Sequence, residues 1–328
     1  MIISRTPFRI SFFGGGTDYP GWYEQHGGAV LSAAINRYCY LTCRTLPPFF
    51  DHRFRIAYSI MESVKTIEEI KHPAVRACLQ HLNIENGLEI HHDSDLPKQS
   101  GLGTSSSFAV GLLNVLHRQQ GHHPSKLELA HEAIHIERNL CRENVGSQDQ
   151  MATAVGGVNR INFGPGEQIK VEPVGLPPER LAYLESHLML FFTGFSRFAS
   201  EIVTEQLQNM PSKPVELSTL HQFVDQGINI LADGGEIDAF GKPMHEGWKL
   251  KRSLSSRISK PEIDAVYEAG LAAGALGGKL CGAGGGGFLL MFARPEKHAA
   301  VKAALSSCLH VPFSFDHHGS QIIFEEKD

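Results

Sequence analysis

The sequence lacks the spacings that mark a zinc-binding or disulfide-rich protein. Its six cysteines are scattered along the chain, and no two of them form a Cys-x-x-Cys pair. The 18 histidines include adjacent pairs, but none has the spacing expected of metal ligands. We therefore expect reduced thiols rather than disulfide bonds or a zinc site.

Long apolar runs and an excess of basic residues are missing as well. No apolar run approaches the ~18 residues of a membrane span, and the N-terminus lacks the layout of a signal peptide. The net charge of −5 leaves no basic excess to neutralise the phosphates of a nucleic acid. We expect a cytoplasmic enzyme that binds neither nucleic acid nor a membrane.

The chain does have the composition of an ordinary globular protein, with 42% hydrophobic and 20% charged residues over 328 positions. That length predicts one large or two medium domains. A Gly- and Pro-rich stretch at 163–180 and an apolar strand pattern at 188–193 predict a boundary between a domain at 1–190 and a domain at 191–328. Helices are predicted in the second half over 215–232, 243–257 and 263–274.

The most informative stretch is residues 97–108, which read Pro-Lys-Gln-Ser-Gly-Leu-Gly-Thr-Ser-Ser-Ser-Phe. An alternating strand pattern precedes it, and a nearly all-round apolar helix pattern follows. Gly101 and Gly103 allow unusual backbone conformations, and the helix start offers unpaired N–H groups and a partial positive charge. This pattern predicts a phosphate-binding loop, in which a first-turn hydroxyl suits Mg²⁺, an ion that prefers oxygen ligands. The alternative is a well-capped helix with a flexible entry.

A carboxylate is predicted to lie on the buried face of a later helix, which begins at the capping box of Ser125 and Glu128. Glu137 falls on the apolar stripe of this helix. The stripe consists of Leu127, Ala130, Ile134 and Cys141. A buried charge needs a partner, because an unpaired one is very costly. A metal ion would be such a partner, and an internal salt bridge with Arg138 or His131 is the alternative.

Asp149 is predicted to lie at the start of a short helix. Gly146 and Ser147 have the character of a helix entry and cap, which places Asp149 in the first turn, where the helix dipole favours an ionised carboxylate. Near a phosphate loop, such a carboxylate can orient and deprotonate an attacking hydroxyl. A first-turn dipole partner without a chemical role is the alternative.

The start of the chain predicts a strand that ends in a glycine turn. Residues 1–13 alternate so that Arg9 emerges on one face, and residues 14–16, all glycine, allow a sharp turn. Thr17 and Asp18 follow, where a carboxylate can approach a polyhydroxylated ligand closely. The alternative is an ordinary Thr-Asp turn or helix cap.

A run of glycines lies near the end of the chain. Gly282, Gly284 and Gly287 match the Gly-x-Gly-x-x-Gly pattern, which indicates a dinucleotide site only between a strand and a helix. We predict a helix before the run and a strand at 288–292 after it, so we reject that interpretation. No Gly-Lys pair is followed by Ser or Thr, which excludes a Walker A loop. We predict instead that the run closes over the phosphate loop of the first domain.

Three stretches, at 5–19, 97–106 and 279–287, resemble the motifs of the GHMP kinases in order and spacing. The resemblance covers nearly the whole chain. It implies an α+β fold with an N-terminal domain of ribosomal-protein-S5-like topology, a ferredoxin-like C-terminal domain and an active site in the cleft between them. It also implies ATP as a substrate and Mg²⁺ as a cofactor.

The resemblance further implies roles for individual residues. Ser105 and Glu137 match the family's Mg²⁺ ligands, and Asp149 matches its catalytic aspartate. Arg9 matches the basic residue that steadies this aspartate and the transferring phosphoryl group. The residues expected at ATP are Pro97, Ser100, Gly101, Leu102, Gly103, Thr104, Ser105 and Ser106. The residues expected at the sugar are Gly15, Gly16, Thr17, Asp18, Gly284 and Gly285.

Departures from the family pattern concern the substrate. Galactokinases carry Glu-His before Thr-Asp-Tyr, whereas this chain has Gly15 and Gly16 there, which argues against galactose. The first motif and residues 27–31 and 277–280 resemble D-glycero-D-manno-heptose 7-phosphate 1-kinases, which phosphorylate the anomeric hydroxyl on the route to GDP-heptose for bacterial surface polysaccharides. The L-fucose 1-kinases are the alternative, and a non-catalytic sugar and nucleotide sensor is another. The oligomeric state is left open.

A heptose 7-phosphate brings a dianion to the sugar end of the cleft, and it needs a cationic partner other than Arg9. Lys249 and Arg252 are three residues apart in the densest basic segment of the second half, so they share a face of a helix. We predict that they clamp the phosphate of the substrate. A solvated basic face is the alternative.

Overall fold

The computed structural model describes residues 1–195 and 199–326 of the chain. Its strands are β1 (Ile2–Phe13), β2 (Gly28–Thr45), β3 (Phe54–Ala57), β4 (Met61–Val64), β5 (Leu88–Ser94), β6 (Val158–Gly164), β7 (Gln168–Pro173), β8 (Leu188–Phe192), β9 (Ala275–Leu280), β10 (Phe288–Ala293), β11 (Leu309–His310) and β12 (Gln321–Glu325). Its α-helices are α1 (Pro20–His26), α2 (Pro73–His81), α3 (Thr104–Gln119), α4 (Lys126–Ile134), α5 (Gln148–Val155), α6 (Pro178–Ser186), α7 (Ala199–Asn209), α8 (Pro214–Ala232), α9 (Gly241–Arg252), α10 (Pro261–Ala272) and α11 (His298–Ala304).

The larger sheet is built around β1 and β2, which pair antiparallel along most of their length. Along its other edge, β2 pairs with β6 near its start and with β5 near its end. The main order is β12-β1-β2-β5-β3-β4, and β7 extends the sheet beyond β6. Only the pairing of β3 with β5 is parallel among the described strands of this sheet. The chain therefore returns at β12 to the strand with which it began.

The second half of β1 is buried on both faces. Helices α3 and α5 contact this strand, and so do α8 and α9. Successive side chains of a strand point to opposite faces, so Arg9 and Ser11 lie on the face opposite Phe8 and Ile10. Arg9 and Ser11 line the main cavity, whereas Phe8 and Ile10 belong to the apolar core. The alternation of side chains along β1 thus places one cationic side chain, that of Arg9, at the cleft.

The smaller sheet has the antiparallel order β11-β8-β10-β9. Its central strands β8 and β10 are almost entirely apolar and buried, as expected for strands covered on both faces. Helix α9 packs directly on β9. Their backbones are so close that a Cβ atom at Gly277 would lie 2.0 Å from the carbonyl oxygen of Gly241. Glycine is therefore required where this helix meets this strand.

The two sheets meet through aromatic side chains. The ring of Phe240, just before α9, packs edge-on against Phe12 at 5.5 Å and Phe13 at 4.9 Å between centroids. The larger apolar core accordingly includes residues from both halves of the chain. The predicted division near residue 190 stays a prediction; β8 at that point is hydrogen-bonded into the smaller sheet. Among the helices described, none combines the length and apolarity needed to cross a bilayer.

Several elements differ from the sequence-based expectations. Leu127 is exposed, because the buried face of α4 runs through Leu129, Ala130 and Ala133 instead. Helix α9 ends at Arg252 rather than at residue 257. The element directly before the glycine run is β9 rather than a helix, but a strand also follows the run, so the rejection of a dinucleotide motif stands. All six cysteines are free in the structure.

Candidate active site

A cavity of about 550 Å³ opens between the two halves of the chain. Its walls come from the end of β1 and the turn after it, the loop before α3, the segment between the π-helical stretch His135–Leu140 and α5, helix α9, and the loop between β9 and β10. All three motifs that the sequence singled out therefore meet at one cavity.

The loop before α3 presents a helix N-terminus to this cavity. Gly103 has a φ of 76° and precedes the helix, whose first turn has no side-chain cap. Uncapped N–H groups of a first turn are a binding site for an anion such as phosphate. Of the residues predicted at ATP, the cavity is lined by Gly101, Gly103, Thr104, Ser105 and Ser106.

The other three predicted ATP residues do not line the cavity. Pro97 is exposed on the surface, and Ser100 and Leu102 are buried beneath the loop. The carbonyl of Leu102 accepts a hydrogen bond from the Arg9 amide at 3.0 Å, and that of Ser100 accepts one from Phe288 at 3.2 Å. Ser100 and Leu102 thus hold the loop through their backbone carbonyls, and none of the three residues lies at the cavity where contact with ATP was expected.

Glu137 is buried and is held by neutral groups alone. The hydroxyl of Ser105 donates to its Oε1, and Ser106 and Gln150 donate to its Oε2 at 2.7 and 2.5 Å. Within the described residues no cationic side chain pairs with Glu137, because Arg138 is bonded to Glu167 instead. Burial raises the pKa of Glu137 to about 7 in spite of the three hydrogen bonds. The alternative of an internal salt bridge with Arg138 or His131 is therefore wrong.

Arg9 and Asp149 form a two-bonded ion pair at the centre of the cavity. Nε and Nη2 of Arg9 donate to the two carboxylate oxygens of Asp149, each at 2.7 Å, and Nη1 donates to the carbonyl of Gly101 at 2.7 Å. Burial acts to lower the pKa of Arg9, but the charge and hydrogen bonds of Asp149 outweigh it and raise that pKa. The Asp149 side chain is 25% exposed, so one side of a fixed carboxylate faces the cavity.

Three consecutive residues at the start of α5 serve three different partners. Gln148 donates to Asp18, Asp149 accepts from Arg9, and Gln150 donates to Glu137. Successive helix residues point about 100° apart, so one helix start can reach three sides of a cavity.

Asp18 is buried beside this group. The amide of Gly16 donates to its Oδ1 at 3.0 Å, and Gln148 donates to its Oδ2 at 2.9 Å. Burial raises the pKa of Asp18, and the hydrogen bond from Gly16 offsets this only in part. Gly146 must be glycine here, because a Cβ atom would lie 1.9 Å from Asp18 Oδ2.

The predicted sugar residues divide into two groups. Gly15, Gly16, Asp18 and Gly284 line the cavity. Thr17 does not, because its hydroxyl donates to the carbonyls of Gly14 and Ala29 and so holds the turn together.

Gly285 is also turned away from the cavity, since its amide donates to the carbonyl of Ile258 at 2.8 Å. Gly282 and Gly287, at the two ends of the run, pack on the phosphate loop as predicted, whereas Gly284 and Gly286 pack on the backbones of Ile258 and Phe195. A Cβ atom at Gly282 would lie 2.4 Å from the Cα atom of Gly101, and one at Gly287 would lie 2.3 Å from the Ser100 carbonyl oxygen.

The predicted phosphate clamp of Lys249 and Arg252 is corrected by the structure. Lys249 pairs with Glu246 on the surface, and Arg252 pairs with Asp264 of α10. Neither residue lines the cavity; the basic residue of α9 that does is Lys251.

The reason for this correction is the orientation of α9. Its buried face runs through Met244, Trp248 and Lys251, at spacings of four and three, and so excludes Lys249 and Arg252. Lys279 of β9 lines the same cavity and was also missed. Trp248 and Lys251 are three residues apart and so share one face of the helix, and this pattern could have identified Lys251 from the sequence.

These features define a class of protein: a two-lobed α+β fold with an uncapped helix N-terminus, a buried carboxylate beside it and a fixed aspartate facing the cleft. A family model for the GHMP kinase N-terminal domain matches residues 66–157, and one for the GHMP kinase C-terminal domain matches residues 229–310. The chain belongs to the GHMP kinase family, and its predicted α+β, two-domain GHMP kinase fold is confirmed.

Individual relatives are similar over most of the chain. A D-glycero-alpha-D-manno-heptose 7-phosphate kinase from Campylobacter jejuni is 28% identical over 97% of this chain and 97% of its own length. A bifunctional fucokinase/GDP-fucose pyrophosphorylase from Arabidopsis thaliana is 29% identical over 89% of this chain, which spans 30% of that relative. The crystal structure of a D-glycero-D-manno-heptose 1-phosphate kinase from Bacteriodes thetaiotaomicron superposes with a TM-score of 0.82 at 24% identity over both whole chains.

Proposed function

We propose that this protein is an ATP- and Mg²⁺-dependent sugar 1-kinase that phosphorylates the anomeric hydroxyl of D-glycero-D-manno-heptose 7-phosphate. The observation that carries the proposal is the Asp149 carboxylate, which Arg9 fixes by two hydrogen bonds between the uncapped start of α3 and the turn that carries Asp18. A phosphoryl donor and a hydroxyl acceptor would meet at that carboxylate.

In the proposed reaction, the oxygen on C1 of the sugar bonds to the γ-phosphorus of ATP while the bond from that phosphorus to the bridging oxygen of ADP breaks. Asp149 accepts the proton of the hydroxyl or orients it. Arg9 keeps Asp149 in place, and the amides of the first turn of α3 bind phosphate oxygens. Such transfers depend mainly on positioning and electrostatic stabilisation, so no covalent intermediate with the protein is needed.

Ser105 and Glu137 would hold the Mg²⁺ ion. Both present oxygen atoms, which this ion prefers, and the neutral surroundings of Glu137 leave its charge without a cationic partner. No cluster of three or more His, Cys, Asp or Glu occurs in the described ranges, so the remaining ligands would be phosphate oxygens and water. When bound, the ion would neutralise charge on the transferring phosphate.

L-Fucose 1-kinase activity is the second candidate, favoured by the similarity to the fucokinase from Arabidopsis thaliana. A sugar and nucleotide sensor without catalysis is a third candidate. The retention of Ser105 and Asp149 at the cavity, with Glu137 hydrogen-bonded to Ser105 behind it, argues against a sensor.

A coupled assay of ADP release tests these candidates. The purified protein would be supplied with ATP, Mg²⁺ and one of four sugars: heptose 7-phosphate, mannose, fucose or galactose. We expect the highest kcat/KM with heptose 7-phosphate. A higher value with fucose would replace our proposal by the second candidate, and no sugar-dependent ADP release with any substrate would favour the sensor.

A further inference from the structure

Two lysines that the reaction above does not use lie at the cavity. Lys251 of α9 and Lys279 of β9 both line it, although only 7% and 6% of their surfaces are exposed. Lys279 belongs to the smaller sheet, and Lys251 belongs to the helix that packs on it. They are therefore built into the wall of the site rather than placed at its rim.

Neither lysine has an acidic partner within the part of the chain that the structure describes. The ammonium of Lys251 donates to the carbonyl of Gly282, and that of Lys279 donates to the carbonyl of Phe12 at 3.4 Å. Each ammonium has three donors, so most of their hydrogen-bonding capacity is unused. Burying an ammonium group without an anion is unfavourable, and burial lowers the pKa of Lys251 to about 8 and that of Lys279 to about 7.

The other charged and titratable groups near these lysines are hydrogen-bonded to other partners or are uncharged. Arg9 and Asp149 bind each other, and Asp18 accepts hydrogen bonds from Gly16 and Gln148. The thiol of Cys281 is buried, and burial raises its pKa, so it supplies no anion at neutral pH. The cavity is therefore lined by two buried lysines that form no ion pair with a described acidic side chain.

We propose that Lys251 and Lys279 bind the phosphate group that the sugar substrate carries into the cleft. This assignment rests on the proposed function and adds to it the residues that would select a phosphorylated sugar.

The position of Lys279 favours this source of phosphate over ATP. Its ammonium reaches the carbonyl of Phe12, two residues before the glycine turn that leads to Asp18. The phosphates of ATP would instead meet the first turn of α3. A dianion with three terminal oxygens can accept hydrogen bonds from both lysines at once, which a neutral sugar cannot match.

The test compares Lys251→Met, Lys279→Met and the double variant with Lys249→Met as a matched control. Methionine keeps a long apolar side chain but removes the charge, and Lys249 lies on the same helix outside the cavity. Steady-state rates would be measured with D-glycero-D-manno-heptose 7-phosphate and with unphosphorylated D-glycero-D-manno-heptose. Each cavity variant should raise KM for the phosphorylated sugar by about 10-fold or more, the usual effect of losing a charged hydrogen bond.

The same variants should leave KM for ATP and kcat/KM for the unphosphorylated sugar unchanged, and the control should match the wild type throughout. Equal losses with both sugars, or a raised KM for ATP alone, would overturn the assignment, because the lysines would then act on the transferring phosphate. A midpoint of thermal unfolding at or above that of the wild type would show that the variants fold.

Calorimetric titration with inorganic phosphate separates this inference from the proposed function. If the wild type does not turn over heptose 7-phosphate but binds phosphate, and the double variant binds it at least 10-fold more weakly, the subsite stands and the proposed substrate fails. If the wild type phosphorylates heptose 7-phosphate and the double variant keeps its KM, the proposed function stands and the subsite fails.

Discussion

Replacing Lys279 by methionine should stabilise the ligand-free protein, and the gain should depend on pH. Lys279 is buried, with a single long hydrogen bond of 3.4 Å to the Phe12 carbonyl. Burial and the nearby charge of Lys251 lower its pKa from 10.5 to about 7. The buried ammonium group therefore destabilises the folded state, and methionine removes this destabilisation while filling a similar volume.

The size of the effect follows from the linkage between protons and folding. Between pH 7 and 10.5 the unfolded chain keeps the Lys279 proton and the folded chain releases it, so the free energy of unfolding of the wild type rises with pH over this window. At about 1.4 kcal/mol per pH unit, the variant should be more stable by about 5 kcal/mol at pH 6.5, about 3 kcal/mol at pH 8 and about 1 kcal/mol at pH 9.5. Above the unfolded pKa the gain should vanish.

Urea unfolding of ligand-free protein at these three pH values measures the effect, with Lys249→Met as the control. Lys249 is exposed and pairs with Glu246 in a surface contact, so its replacement should change the free energy of unfolding by less than about 1 kcal/mol at any of them. A loss of stability in Lys279→Met, or a gain that is the same at pH 6.5 and 9.5, would refute the account of an unpaired buried ammonium.

The remaining predictions concern the catalytic groups and the glycine contact. Asp149→Asn should lower kcat by roughly 10²–10⁴-fold without changing KM for ATP, and near-normal turnover in the coupled assay would remove Asp149 from the reaction. Ser105→Ala and Glu137→Gln should each raise the Mg²⁺ concentration needed for half-maximal rate, and an unchanged Mg²⁺ dependence in both would make these residues structural. Gly282→Ala should unfold at a lower temperature than Gly234→Ala. Both glycines have positive φ, of 67° and 72°, but only Gly282 packs against another backbone. Equal unfolding midpoints would show that the contact with Gly101 is not required.

The sequence located the residues whose chemistry depends on local conformation. Gly103 before a hydroxyl-rich helix start, the glycine turn before Asp18 and the first-turn position of Asp149 are all encoded within a few neighbouring residues. Glu137 was found because a carboxylate at a buried helical position conflicts with its surroundings. In each case the pattern predicted a position, and the roles of these residues in catalysis stay predictions.

The residues that were missed depend on packing between distant segments. Basic residues occur on more than one side of α9, and the packing of this helix on β9 turns the side with Lys251, rather than the side with Lys249, towards the cleft. Strand β9 was overlooked because Gly277 and Gly278 have low strand propensity, and their suitability becomes clear only when α9 and β10 pack against their backbones. The backbone role of Ser100 likewise follows from a contact with Phe288, far along the chain.

The most direct test of the account is the identity of the product. Wild-type protein would be incubated with ATP, Mg²⁺ and D-glycero-D-manno-heptose 7-phosphate, and the sugar product would be examined by ³¹P and ¹H NMR. The account predicts a second phosphorus resonance coupled to the anomeric proton, which identifies the 1,7-bisphosphate, and its loss in Asp149→Asn. ADP formation without a phosphorylated C1, or a phosphate coupled to the proton of any other ring carbon, would contradict it.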